Sequence, residues 1–253
     1  MKLTLPDKSI RDLKNGSTGF DLANDIGPGL AKAAVAVTVD GVQKDLHDPI
    51  MHDANISIIT IDSEEGLEIM RHTLAAQVLA RAVKNLYPKS KLAIGPTIKD
   101  GFYYDVECKE TISIDDLEKI EKEMDKIVKT KSSITKKLLS KKDALKVFKD
   151  KDESYKEEII NDSDQEDEFQ LYYQDDEDFV DLCKGPHLPN LNFIGAYKLT
   201  TISGAYWKGD SSNTMLTRIY GTAWSNEKDL KEHLSNIEEA QKRDHRKLGK
   251  EMD

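Results

Sequence analysis

The chain has 253 residues, 38% of them hydrophobic, which is enough for one large or two smaller cored domains, two being the better reading. With 37 Lys and Arg against 47 Asp and Glu the formal net charge is -10, which argues against general, sequence-blind binding of nucleic acid while leaving room for local basic surfaces. Cys108 and Cys183 are too few for a disulfide framework, MKLTLPDKSI has no apolar signal core, and no stretch reaches the roughly 18 apolar residues of a membrane span, so a soluble, cytoplasmic protein is expected.

Leu3 and Leu5 alternate with polar neighbours, Pro6-Asp7-Lys8 turns the chain, and Ile10 and Leu13 follow, which predicts a hairpin. Thr18 is placed to cap a helix carrying Phe20, Leu22, Ala23 and Ile26, and Gly27-Pro28-Gly29 is expected to stop it. Val35 to Val39 reads as a strand, Asp40-Gly41 as a hairpin turn, and Asn55 to Thr60 as a last strand. This order predicts a small β-grasp over residues 1–62, with His47 and His52 as loop residues and no catalytic constellation.

A second domain is expected over residues 63–225. Glu64 and Glu65 suit a helix start, and Leu67, Met70, Leu74, Val78, Ala82 and Leu86 recur at helical spacing until Pro88, with His72 on the same helix. IGPTIKDGFYYDV, from Ile94, predicts a hairpin through Asp100-Gly101 and a strand on which Tyr103 and Tyr104 point to opposite sides. Ile114 to about Phe148 has a helical pattern and dense lysines, among them Lys126, Lys136, Lys137 and Lys141. A charge run of this kind is most often a solvated face, although it can meet phosphates. The acidic run from Asp162 to Asp178 reads as a surface loop.

DLCKGPH, Asp181 to His187, concentrates a carboxylate, a thiol and an imidazole beside Gly185-Pro186, which breaks helix and strand alike. Cys183 and His187 therefore belong on a loop, where the pair suits a metal half-site, a thiol–imidazole pair or a polar loop that merely packs. KLTTISGAYWKGDSSNTMLTRIYGTAW, residues 198–224, is strand–turn–strand text, and a helix from about Asn226 to the end carries Leu230, Leu234 and Ile237 on one side and Lys242, Arg243, Arg246, Lys247 and Lys250 near its end. The overall expectation is an α+β chain: a β-grasp, a larger α+β domain and a C-terminal helix over residues 226–253.

LPDKSIRDL, TGFDLANDIGPGLAKAAVAVTVDG and ISIIT resemble a TGS domain, the ubiquitin-like module at the N-terminus of threonyl-tRNA synthetases. GPTIKDGFYYDV, ESYKEEI, DFVDLCKGPHLPN and SGAYWKGDSSNTMLTRIYGTAW resemble the editing domain of bacterial-type threonyl-tRNA synthetases, in the right order along nearly the whole chain. KRDHRKLGKEMD resembles the linker helix leading into that family's aminoacylation core, so the resemblance implies an N-terminal fragment whose catalytic and anticodon-binding domains lie elsewhere and which makes no aminoacyl-tRNA itself.

The resemblance further implies an aminoacyl-tRNA deacylase that hydrolyses tRNA(Thr) mischarged with serine, its partner being the acceptor end bearing the seryl ester. Serine lacks one methyl of threonine, a difference worth only about 1–3 kcal/mol in a binding pocket, so a second hydrolytic sieve is useful. Matched by position, His72 orients or deprotonates water, Lys156 supplies positive charge, Asp181 fixes the substrate amine, Cys183 holds water or shapes the pocket, and His187 orients its neighbours; a nucleophilic Cys183 is the alternative. Tyr104 lies in the matched GFYYD segment as a substrate-binding candidate.

The chain departs from the family's His-x-x-x-His pattern, because Ala76 stands where the second histidine belongs. Alignment through AQVLARAV puts Gln77 there instead, with one extra residue in the helix. An uninterrupted helix would turn Gln77 about 140° from His72, so Gln77 joins the site only if the helix bulges or begins late. His72, Cys183 and His187 alone would suit a catalytic zinc with an open position, but a metal-free water mechanism is the favoured reading. A non-catalytic module that holds the acceptor arm, its editing site degenerate, is the second reading.

Overall fold

The computed structural model describes residues 1–175 and 177–251, apart from the side chains of residues 241 and 243–251. Strands β1 (Lys2–Thr4) and β2 (Ile10–Asp12) pair antiparallel around Pro6-Asp7-Lys8, as the turn chemistry predicts. Helix α1 (Gly19–Ile26) opens with a capping box: the Thr18 hydroxyl accepts from the Asp21 N–H while the Asp21 carboxylate accepts from the Thr18 N–H. As expected, α1 stops at Gly27, its C-cap, and Pro28 then opens the first turn of a second short helix, α2 (Pro28–Ala33), where its missing N–H costs nothing.

Strands β3 (Ala34–Val39) and β4 (Val42–Asp45) then meet through Asp40-Gly41, both at positive φ, the primed turn that right-twisted strands favour. Strand β5 (Ala54–Thr60) completes a sheet of order β2-β1-β5-β3-β4 in which β1 and β5 run parallel. Leu3, Leu22, Val37, Val39 and Ile56 form its core beneath α1, giving the expected β-grasp.

Ser63 caps helix α3 (Glu64–Thr73), which runs on as a π-helical segment, Leu74–Leu79, and then as α4 (Ala80–Leu86). The Ala80 N–H bonds back to the Ala75 carbonyl, five residues earlier, the mark of one residue inserted into an α-helix. All six residues of the π segment are buried, Leu74 and Leu79 completely, each such leucine being worth about 1.5–3 kcal/mol. The bulged helix lies in one core with Val35, Ala36 and Ile59 of the first sheet and with Phe102, Tyr104 and Ile219 of the second.

That second sheet contains β6 (Lys91–Leu92), β7 (Thr97–Ile98), β8 (Gly101–Glu107), β12 (Ala196–Tyr206) and β13 (Met215–Trp224), with order β12-β13-β8-β6 and β7 paired to β8. As expected of neighbours on a strand, Tyr104 is fully buried while Tyr103 faces the other side beneath the Arg218 guanidinium, 3.9 Å from its ring centre.

Two expectations fail between these strands. The helical pattern from Ile114 is not one helix but α5 (Leu117–Lys129), strand β9 (Ile134–Leu139) and α6 (Lys141–Asp150), interrupted at Lys131, whose φ is +57°. Its lysines do not make one free basic face: Lys126 pairs with Glu123, Lys136 with Asp45 and Asp48, Lys137 with Glu177, and Lys141 with Glu166. Beyond α7 (Ser154–Asp162), the acidic run is not simply a loop, because Phe169–Gln174 forms β10, the central strand of a sheet ordered β11-β10-β9 with β11 at Val180–Leu182. FQLYYQ is apolar enough to be buried between two charged flanks, and pairing with β9, distant in sequence, as well as with the nearby β11 decides the matter. Helix α8 (Glu227–Glu251) follows; the side chains of Arg243, Arg246, Lys247 and Lys250 lie outside the described residues.

Candidate active site

His72, in the last turn of α3, and the loop after β11 converge on a cavity of about 490 Å³. Its wall includes His72, Ala76, Gly95, Lys156, Asp181 and Cys183. His72 Nε2 lies 2.7 Å from Cys183 Sγ, and the Gly185 N–H donates to the same sulfur at 3.3 Å. Glycine at 185 is a steric requirement: its φ is +63°, and a Cβ there would meet the Tyr172 hydroxyl oxygen at 2.0 Å.

His187 stands behind this pair. Its ring stacks on His72 with centroids 4.6 Å apart and planes 5° from parallel, and the Tyr172 ring meets it edge-on at 4.4 Å. Thr73 Oγ1 donates to the Ile69 carbonyl at 2.8 Å and accepts from the Leu188 N–H at 3.0 Å. With its single proton so used, it takes His187 Nδ1, at 3.1 Å, as a further donor. His187 Nε2 is buried without a partner.

Lys156, from α7, and Asp181, from β11, form a pair at 2.6 Å, and both are almost fully buried. The Tyr104 hydroxyl donates to Asp181 Oδ2 at 3.0 Å and the Leu182 N–H to Oδ1 at 2.8 Å, so the carboxylate is fixed from two sides. Tyr104 therefore braces Asp181 from behind and does not itself line the cavity.

Gln77 is not a wall of the cavity either. The helix does bulge, yet the bulge leaves Ala76 facing the cavity and turns Gln77 into the core, where its carbonyl accepts from Gln174 Nε2 of β10 at 2.7 Å. Gln174 is held in turn by Arg81 Nη1 at 2.7 Å, so a buried polar group answers the carbonyl. The sequence could not show which of two adjacent residues a π segment would present.

Burial sets the electrostatics. It lowers the proton affinity of His72, partly opposed by the Asp181 carboxylate and a hydrogen bond with the Gly95 main chain, and it lowers that of His187 further, with His72 adding to the effect. Both rings are neutral at neutral pH. Burial pushes the Cys183 thiol up to about 12, so it stays protonated. Among the described residues, His72, Cys183 and His187 offer three possible metal-ligand atoms within 4.8 Å of one another. Zn–S and Zn–N bonds at tetrahedral angles set the two ligand atoms roughly 3.5 Å apart. The His72–Cys183 contact of 2.7 Å is closer than that, so these two side chains would have to part to admit the ion.

Sequence reasoning missed Thr73, Tyr172 and Gln174, and it singled out Ala76 only as the residue in place of a histidine. Only Gly95 left a signal: within the quoted IGPTIKDG text it is a glycine because a Cβ there would meet Tyr104 Cδ2 at 2.2 Å.

A β-grasp module packed on an α+β domain with a histidine–cysteine–lysine–aspartate cavity is the architecture found. Residues 1–60 match the TGS domain, and residues 170–220 match the family described as the threonyl and alanyl tRNA synthetase second additional domain. The chain thus joins a TGS domain to a synthetase editing-type domain.

Over nearly its full length it is similar to bacterial threonine-tRNA ligases. That of Prochlorococcus marinus is 47% identical over 251 residues, covering 99% of this chain and 39% of the relative. That of Hahella chejuensis is 49% identical over 250 residues with 99% and 39% coverage, and that of Psychrobacter cryohalolentis 46% identical over 250 residues with 99% and 38%. The chain spans less than two fifths of the length of these relatives.

Proposed function

We propose that the cavity hydrolyses the ester of tRNA(Thr) mischarged with serine, releasing serine and free tRNA. The observation that carries this reading is the convergence of a neutral imidazole, His72, with a fixed cation–carboxylate pair, Lys156 and Asp181, on one cavity in a domain whose relatives are threonine-tRNA ligases. In this reading the Gly95 main chain accepts from one ring nitrogen of His72, and Nε2 takes a proton from the attacking water. Lys156 offsets the charge that develops on the ester oxygen. Asp181 receives the substrate's ammonium group. The Cys183 thiol shares Nε2 with the water and shapes the wall; no covalent bond to sulfur forms. No metal is required.

Incubating the purified chain with Ser-tRNA(Thr) and Thr-tRNA(Thr), with binding measured in parallel, tests this. Release of serine with threonine retained on its tRNA is expected, and neither binding nor hydrolysis overturns the reading. Binding without hydrolysis would instead support a non-catalytic module for the acceptor arm, which the presence of Ala76 in place of a second histidine favours.

A further inference from the structure

Asp45 is the last residue of β4, in the TGS domain, yet its carboxylate reaches the Cys183–His187 loop. Oδ1 accepts the His187 N–H at 2.9 Å; Oδ2 accepts the Tyr172 hydroxyl at 2.7 Å and pairs with Lys136 Nζ at 2.9 Å. The partners belong to three separate segments: the loop, β10 and β9. Tyr172 is the ring that meets His187 edge-on, and its hydroxyl is the atom that closes against Gly185. Asp45 therefore fixes both the main chain of His187 and the ring that His187 packs on, and His187 in turn stacks on His72. Asp45 does not line the cavity and touches none of the groups that would meet substrate.

We propose that Asp45 is a positioning residue supplied by the TGS domain, holding the Cys183–His187 loop at its working distance from His72. The role explains why the first domain packs where it does: hydrogen bonds to a charged acceptor are shorter and stronger than neutral ones, and one carboxylate has enough lone-pair sites for all three partners. Asp48 provides an internal comparison, since it pairs with the same Lys136, at 2.6 Å, while among the described residues no hydrogen bond joins it to the loop.

This proposal rests on the deacylase reading, and the test separates the two. In the full chain, Asp45→Ala should lower the single-turnover rate of Ser-tRNA(Thr) hydrolysis at least tenfold while leaving the dissociation constant for tRNA within twofold. Asp45→Asn, which keeps an acceptor oxygen for the His187 N–H, should recover most of that loss, and Asp48→Ala should stay within twofold of wild type. Amide hydrogen exchange over residues 183–188 should be at least tenfold faster in Asp45→Ala and unchanged in Asp48→Ala. Equal losses from Asp45→Ala and Asp48→Ala would assign Asp45 to general domain docking and overturn the proposal, as would an unchanged rate or unchanged exchange. If the wild-type chain hydrolyses nothing, the deacylase reading fails, and the exchange measurement still decides whether Asp45 holds the loop.

Discussion

Cys183 Sγ sits 2.7 Å from His72 Nε2 although 111 positions separate them in the chain. A thiol whose proton is held up to about 12 by burial is a wall and a hydrogen-bond partner before it is a nucleophile.

Replacing Cys183 by alanine should therefore leave measurable hydrolysis of Ser-tRNA(Thr), reduced by no more than about a hundredfold. Replacing His72 by alanine should cost on the order of 10²–10⁴, the usual contribution of a general base. Rates of serine release under single-turnover conditions compare the two; a Cys183→Ala rate indistinguishable from uncatalysed hydrolysis would restore covalent catalysis.

The buried pair sets a stability prediction. Lys156→Met leaves the Asp181 charge in the core without its partner 2.6 Å away and should destabilise by about 3–5 kcal/mol. Adding Asp181→Asn removes the stranded charge, so the double variant should recover part of the loss in urea unfolding. A single variant as stable as wild type would mean that water reaches Asp181 freely.

Stability should also fall on mild acidification. Burial lowers the His187 pKa well below 6.5, so the unfolded chain binds more protons than the folded one as pH drops past that value. The contribution is full above about pH 6.5 and is lost as pH falls toward the folded-state value. His72 acts in the same direction, and the buried Glu153, whose pKa is raised by burial, acts in the opposite one. His187→Asn should thus show a smaller loss between pH 7.5 and 5.5 than wild type. Equal slopes would place the pH dependence elsewhere.

Purified protein should hold well under one zinc per chain, because His72, Cys183 and His187 supply three ligand atoms rather than the four of a closed site, and His72 and Cys183, 2.7 Å apart, would have to part to admit the ion. Metal analysis of wild type and Cys183→Ala checks this: stoichiometric zinc that vanished in the variant would assign the three side chains to a metal centre.

What the sequence by itself determined was local. The capped helix at Thr18, the Asp40-Gly41 turn and the opposite faces of Tyr103 and Tyr104 follow from short-range rules of capping, turn chemistry and strand alternation, and all three stand. The loop position of Cys183 and His187 follows likewise from Gly185-Pro186. The tertiary structure alone decided what depends on partners distant in the chain. Strand β10 inside an acidic run and β9 inside a helical pattern exist because they pair with each other. An extra residue in the helix was legible from the pattern, but only packing against Gln174 chose Ala76 for the cavity and Gln77 for the core. The hold of Asp45 on His187 crosses from one domain to the other, a relationship that no spacing rule carries.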